Sequence, residues 1–257
     1  MEATRQYSSI VYTHIPKCGG TSLRKFFAQA AVQSNLDLDN EVFIPGCHGL
    51  ENDKNLSQLS EEEITSLKSK KLRLMANHSK YGQISKIGIS LSRPYHLTVL
   101  RHPVARFISH YNFFYYKLGY EGCANMTLDE LPEQQCQKLL NTLANLQTSY
   151  LSNIHHKKIV GMTNILKIAK YNLLFEFDHV GIVENIDATV RSLNSVNFDW
   201  ITFPPSLAVH NASSSEKMEV SDTMIQRIQE ANWADLDLYE LAVLHQTPKA
   251  CNLSVID

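Results

Sequence analysis

The sequence predicts an α/β fold: one domain over residues 1–257, with a mainly parallel sheet flanked by helices and a glycine-rich loop after the first strand. Three observations lead there. Short runs of β-branched and aromatic residues alternate with segments of helical periodicity, the order that builds parallel strands joined by helices. The first run ends in a loop of glycines, lysine and hydroxyls that opens a helix. Finally, 257 residues that are 44% hydrophobic suffice for one large core, and no internal repeat or low-complexity tract divides them.

Ser8 to Ile15 (SSIVYTHI) is the first expected strand, followed by the loop PKCGGTS and the helical LRKFFAQAA. Asn35 to Ser60 mixes Asn, Asp, Gly and Pro with scattered apolar residues and reads as irregular connection. Ser60 with Glu63 forms a capping-box pattern, so a short helix should run to about Ser69. Leu72 to Asn77 (LRLMAN) is the second strand, with His78 at its C-terminal end, where parallel sheets keep their ligands. Tyr95 to Leu100 is the third strand; it runs into RHPVARFISHYNFFYYKL, a helix with Pro103 in its first turn, where the missing N–H costs nothing. Glu121 to Gln134 reads as loop, and Lys138 to Ser152 as one helix with Leu139, Leu143, Leu146 and Tyr150 on its apolar face. Phe177 to Val183 is the last strand. After Phe203-Pro204-Pro205 comes a polar loop, HNASSSEK, then one long helix from about Ser221 with Ile225, Ile228, Trp233, Leu236, Leu238 and Leu241 facing the core.

The chemistry concentrates in HIPKCGGTSL (His14 to Leu23). Gly19 and Gly20 allow backbone N–H groups to approach a phosphate at a helix N-terminus, Lys17 adds a full charge, and Thr21 and Ser22 offer hydroxyl donors. A capped tight turn would explain the glycines alone, but not lysine and both hydroxyls behind a strand. Lysine precedes the glycines, the reverse of a Walker A loop, which disfavours an ordinary NTPase. A second cluster, RHPVARFISHY, puts Arg101 at a strand end and Ser109 eight residues on, about two helical turns. Both can face one phosphate monoester. Taken alone, Arg101 and Arg106 would read as solvated surface charges. Together the clusters describe a ligand with phosphates at both ends.

HIPKCGGTSL resembles the 5'-phosphosulfate loop of the Golgi-type carbohydrate sulfotransferases, sulfotransferase family 2, and VLRHPVARFISHY is similar to their 3'-phosphate motif RxPxxRxxSxY. The likeness continues through NHSKYG (Asn77 to Gly82), NLQTSYLS (Asn145 to Ser152), HVGIVENI (His179 to Ile186) and HNASSSEK, spanning most of the chain in order. It implies the P-loop-like sulfotransferase fold, PAPS (3'-phosphoadenosine 5'-phosphosulfate) as donor with PAP as product, and an acceptor hydroxyl on a polysaccharide, glycan or glycolipid. In-line attack then needs Lys17 at the leaving oxygens and His78 as base, with no metal. His78 stands in NHSKYG, where relatives read GHxxYG, so Asn77 replaces the usual Gly. Cys18 replaces a frequent Thr and exposes the loop to oxidation. By the same resemblance Asn211, Ser213 and Lys217 would close over the nucleotide; a solvated loop capping the next helix is the alternative. His14 is a candidate for acceptor contact, though more suited to orienting its loop; Asn145 and Gln147 are candidates for contact with acceptor or donor, or else simply face out from a helix surface. Glu184 is a cleft carboxylate or a helix-entry acid.

Composition excludes other partners. With 24 basic and 26 acidic residues, net charge −2, no global field draws the chain to nucleic acid or anionic lipid. No apolar run is long enough to insert in a membrane, and residues 1–9 lack the order of a signal peptide. Cytoplasm is the expected compartment; a lumenal Golgi domain without its anchor is the alternative, in which Cys123 and Cys136 could pair. A glycan on the sequons at Asn77 or Asn211 would obstruct the site. No ligand cluster stands out among the 11 histidines. Three other readings stay open: a small-metabolite acceptor, a nucleotide-kinase-like phosphotransferase, which would require a metal-binding carboxylate, and a nucleotide-binding module without turnover.

Overall fold

The computed structural model describes residues 6–45, 56–154, 161–207 and 218–245. Five parallel strands form one sheet in the order β2-β3-β1-β4-β5. They are β1 (Ser9–Thr13), β2 (Val42–Phe43), β3 (Leu74–Asn77), β4 (Pro94–Leu100) and β5 (His179–Ile182). Register sets Thr13 opposite Asn77 on one side and Thr98 on the other, and Leu100 opposite Ile182. β1 lies between β3 and β4, so strand order reverses between β1 and β4, the position at which open parallel sheets form a ligand crevice beyond the C-terminal strand ends. The residues following both strands carry the two segments expected from sequence to bind anions.

Both sheet faces are buried, which is why the strands are nearly continuous apolar runs. On one face Ile10, Tyr12, Leu74, Ala76, Tyr95, Leu97 and Val99 pack with Leu23, Phe27 and Ala30 of α1 (Gly20–Gln33) and with Val190 and Leu193 of α8 (Ile186–Ser195). On the other, Val11 and Met75 meet Leu67 of α2 (Glu61–Ser69) and Ile84 of α3 (Gln83–Lys86). Leu100, Val180 and Ile182 meet α6 (Leu146–Ser152), α7 (Met162–Phe175) and α10 (Trp233–Leu244). A satellite cluster joins α4 (Pro103–Tyr111), α5 (Glu133–Leu143) and α9 (Asp222–Ala231). None of the described helices is long and apolar enough to cross a membrane.

Several elements depart from the sequence expectation. Within the stretch expected to be irregular, Val42–Phe43 forms an edge strand; two residues are too few to show alternation. The helix expected from Lys138 to Ser152 is broken between α5 and α6, where Asn145 is left-handed at φ 51° and ψ 41°. The long C-terminal helix is likewise broken at Asn232, between α9 and α10. Helix α7 falls where no element is expected from sequence, although Ile165, Leu166, Ala169 and Leu173 give it a buried stripe. Helix α8 is also unexpected, because its buried face mixes Thr189 and Ser192 with Val190 and Leu193, blurring the pattern. The capping box at Ser60 is present, with both reciprocal bonds made. Cys123 and Cys136 are free buried thiols.

Candidate functional site

Six residues join β1 to α1, and two of them are left-handed: Lys17 at φ 68° and Gly19 at φ 72°. For lysine this conformation is strained and needs support. Arg101, at the end of β4, supplies it, since its Nη1 donates to the Lys17 carbonyl at 3.3 Å. The turn closes through Cys18 N–H to Ile15 O at 3.2 Å, and Gly19 caps α1 without a side chain. The amides of Gly20 and Thr21 then begin a helix with no acceptor in the preceding turn, adding partial positive charge beside Lys17. Thr21 is exposed and Ser22 buried.

Gly20 has a role distinct from phosphate approach. A methyl group there would overlap the imidazole of His14, so the glycine admits that ring against the helix start. His14 is buried and stacks on Tyr12 at 5.6 Å and on His78 at 3.8 Å between ring centroids. Burial, reinforced by His78, Arg24 and Lys17, holds its pKa well below the usual imidazole value, so it is neutral. Its carbonyl receives His78 Nδ1 at 3.1 Å. A carbonyl only accepts, hence Nδ1 bears a proton, and in the neutral ring Nε2 then carries the lone pair. Asn77 keeps ordinary strand geometry in register with Thr13, so no glycine is required there. It is buried, and its Nδ2 and Oδ1 find no partner among the described residues.

The second cluster is anchored from below. Gln147 accepts from Arg101 N–H at 2.9 Å and donates to Arg101 O at 3.0 Å, fixing both backbone groups. Its oxygen also receives Cys18 Sγ at 3.4 Å. Glu184 accepts from His102 N–H at 3.0 Å and from Tyr239 OH at 3.1 Å, so this carboxylate holds the start of α4 rather than its own helix. Ser109 lies on α4, half-buried. Arg106, expected at the surface if unliganded, is instead fully buried, with Nη2 on Leu143 O at 2.8 Å; burial pushes its pKa down and the Asp235 carboxylate opposes that.

Asn145 and Gln147 are buried and their side chains are bonded to the protein itself. Asn145 donates to Ala231 O at 3.0 Å and accepts from the N–H groups of Ala234 and Asp235 at 3.0 and 3.1 Å, capping α10. Asp235 returns the favour to α6, accepting from Thr148 N–H at 2.7 Å and Gln147 N–H at 3.1 Å. The Cys18 thiol is fully buried and burial pushes its pKa up to about 12, which works against the oxidation expected there. Asn211, Ser213 and Lys217 lie outside the described residues. Asp235 and Asn232 were not legible as site supports, because WADLDLYELAVL holds three carboxylates, Asp235, Asp237 and Glu240, and nothing local marks the first of them as buried.

Positive charge accumulates at the crevice. Burial lowers the Lys17 pKa, and Arg101 and Lys117 lower it further. Ion pairs join Arg73 to Glu41, Lys138 to Glu121, Lys170 to Asp237 and Arg227 to Glu133, and among the described residues no carboxylate within ion-pair distance offsets Lys17 or Arg101. A cavity of about 320 Å³ opens elsewhere, between Val11, Thr13 and His96 on the sheet and the 80–91 segment. No group of three or more metal-ligating side chains occurs among the described residues. Such an arrangement can bind an anion between two loops and remove a proton at Nε2 of His78. Comparison with known proteins returns no curated match, while a family model described as a sulfotransferase family covers residues 3–242.

Proposed function

This chain belongs to the sulfotransferase family and is a sulfotransferase, and from that premise we propose that PAPS is its donor and a saccharide hydroxyl its acceptor. The observation that carries the donor assignment is the bond from Arg101 to the Lys17 carbonyl: the loops with affinity for the two anionic ends meet across β1 and β4. When bound, the donor supplies the sulfuryl group and a nucleotide phosphate as leaving group. Lys17 and the first amides of α1 offset charge at the 5' end, with Cys18, Gly19, Gly20, Thr21 and Ser22 forming the wall of that subsite. Arg101 and Ser109 hold the 3'-phosphate, and Asn211, Ser213 and Lys217 complete the nucleotide contacts.

His78 takes the acceptor proton at Nε2, because Nδ1 is occupied by the His14 carbonyl. His14 thereby acts through His78, and Gln147 acts through Arg101. The saccharide assignment rests on the likeness of the motifs to carbohydrate sulfotransferases. We further assign the chain a single domain, supported by one sheet with strands from Ser9 to Ile182. The cytoplasm is the compartment we favour, consistent with buried free thiols at Cys18, Cys123 and Cys136.

Incubation with PAPS and a panel of saccharide and small-metabolite hydroxyls, read by a mass gain of one sulfate, tests the acceptor class. Sulfation confined to metabolites would overturn the saccharide assignment. Titration calorimetry tests the donor: PAP should bind and ATP should not compete.

A further inference from the structure

Lys17 is held by a partner that is neither a carboxylate nor a carbonyl. Its Nζ lies 4.2 Å from the centroid of the Phe113 ring. Phe113 is 45% exposed, so the ring does little for the core. It reaches Lys17 because α4 does not stop at Tyr111: Asn112–Lys117 continue it as a π-helical segment, which changes the phase at which side chains leave the axis. Such widened turns gather at functional positions.

The surrounding charges explain why a ring is suited to this place. Arg101 after β4 and Lys117 in the π-helical segment repel the ammonium, while His14 beside the turn and His110 on α4 offer no negative charge. A carboxylate here would hold the ammonium but cancel it, competing with an incoming anion for the same N–H donors. An aromatic face attracts the cation through its quadrupole and leaves the charge in place.

We propose that Phe113 is a positioning residue: its ring holds the Lys17 ammonium, charged and with N–H donors turned outward, where the anionic donor arrives. The inference rests on the donor-binding reading of the Lys17 turn. Protein labelled with ¹³C at lysine Cε separates the two. The Lys17 signal, identified by its loss in Lys17→Arg, should be shifted upfield by the ring, revert toward the other lysines in Phe113→Leu and stay shifted in Phe113→Tyr. In Phe113→Leu it should also lose its proton at lower pH. An unmoved signal in Phe113→Leu overturns the proposal. Calorimetry with PAP provides the second arm. Affinity should fall about twofold to fivefold in Phe113→Leu, recover in Phe113→Tyr, and not change further when Phe113→Leu is added to Lys17→Ala. An equal loss in the Lys17→Ala background would show that Phe113 acts independently of Lys17. If wild-type protein bound no PAP, the donor reading would fail and the lysine signal alone would decide.

Discussion

His78 Nδ1 donates to the His14 carbonyl 3.1 Å away, which leaves Nε2 as the basic nitrogen of the neutral ring, and that carbonyl belongs to a residue whose ring is wedged against Gly20. His78→Ala should therefore reduce turnover about 10²- to 10⁴-fold, the usual worth of a general base, while PAP affinity stays near that of the wild type. Lys17→Ala should cost about 10²- to 10³-fold in turnover. For Arg101→Ala the loss belongs in PAP affinity, measured by calorimetry; unchanged binding would refute the 3'-phosphate assignment. Gly20→Ala must displace the His14 ring, and with it the acceptor that sets the His78 tautomer. We expect it to lower turnover together with about 1–3 kcal/mol of stability, readable by urea denaturation alongside a rate assay.

Between elements, α6 and α10 cap each other. Asn145 precedes α6 and satisfies the first amides of α10, while Asp235 in the first turn of α10 satisfies those of α6. The same carboxylate offsets the buried Arg106 charge. Asp235→Ala should lower unfolding stability by about 3 kcal/mol, since it leaves both a helix N-terminus and a buried cation uncompensated. Gln147→Leu is a sharper probe of function: removing the two bonds that fix Arg101 should weaken PAP binding more than it weakens the fold. Equal PAP affinity in that variant would show that Arg101 is held by other means.

For the molecule as a whole, burial makes stability fall in acid. It pushes His110 down to about 3, helped by Arg106 and Lys17, and His179 down to about 4, from an ordinary 6.5. Below pH 6.5 the unfolded chain takes up protons that these folded imidazoles refuse. Stability present above pH 6.5 is thus lost as pH falls toward 4, by about 1.4 kcal/mol per pH unit for each such histidine. Urea midpoints at pH 7 and pH 5 check this, and His179→Gln should flatten the difference.

Local pattern was enough for β1, β3, β4 and β5, for the Ser60 cap, for the glycine turn before α1 and for the start of α4 at Pro103, because a strand's apolar run, a glycine turn and a helix-opening proline are written in neighbouring residues. The breaks at Asn145 and Asn232 were not legible, since each depends on partners about 87 to 90 positions away. The same holds for the burial of Gln147 and Arg106, and for the meeting of Arg101 with Lys17, 84 residues apart. Residue types thus determined which chemistry the chain can perform. Only tertiary packing decided which polar groups face the crevice and which are consumed in holding it, because a hydrogen bond's partner is chosen by distance in space and not by distance along the chain.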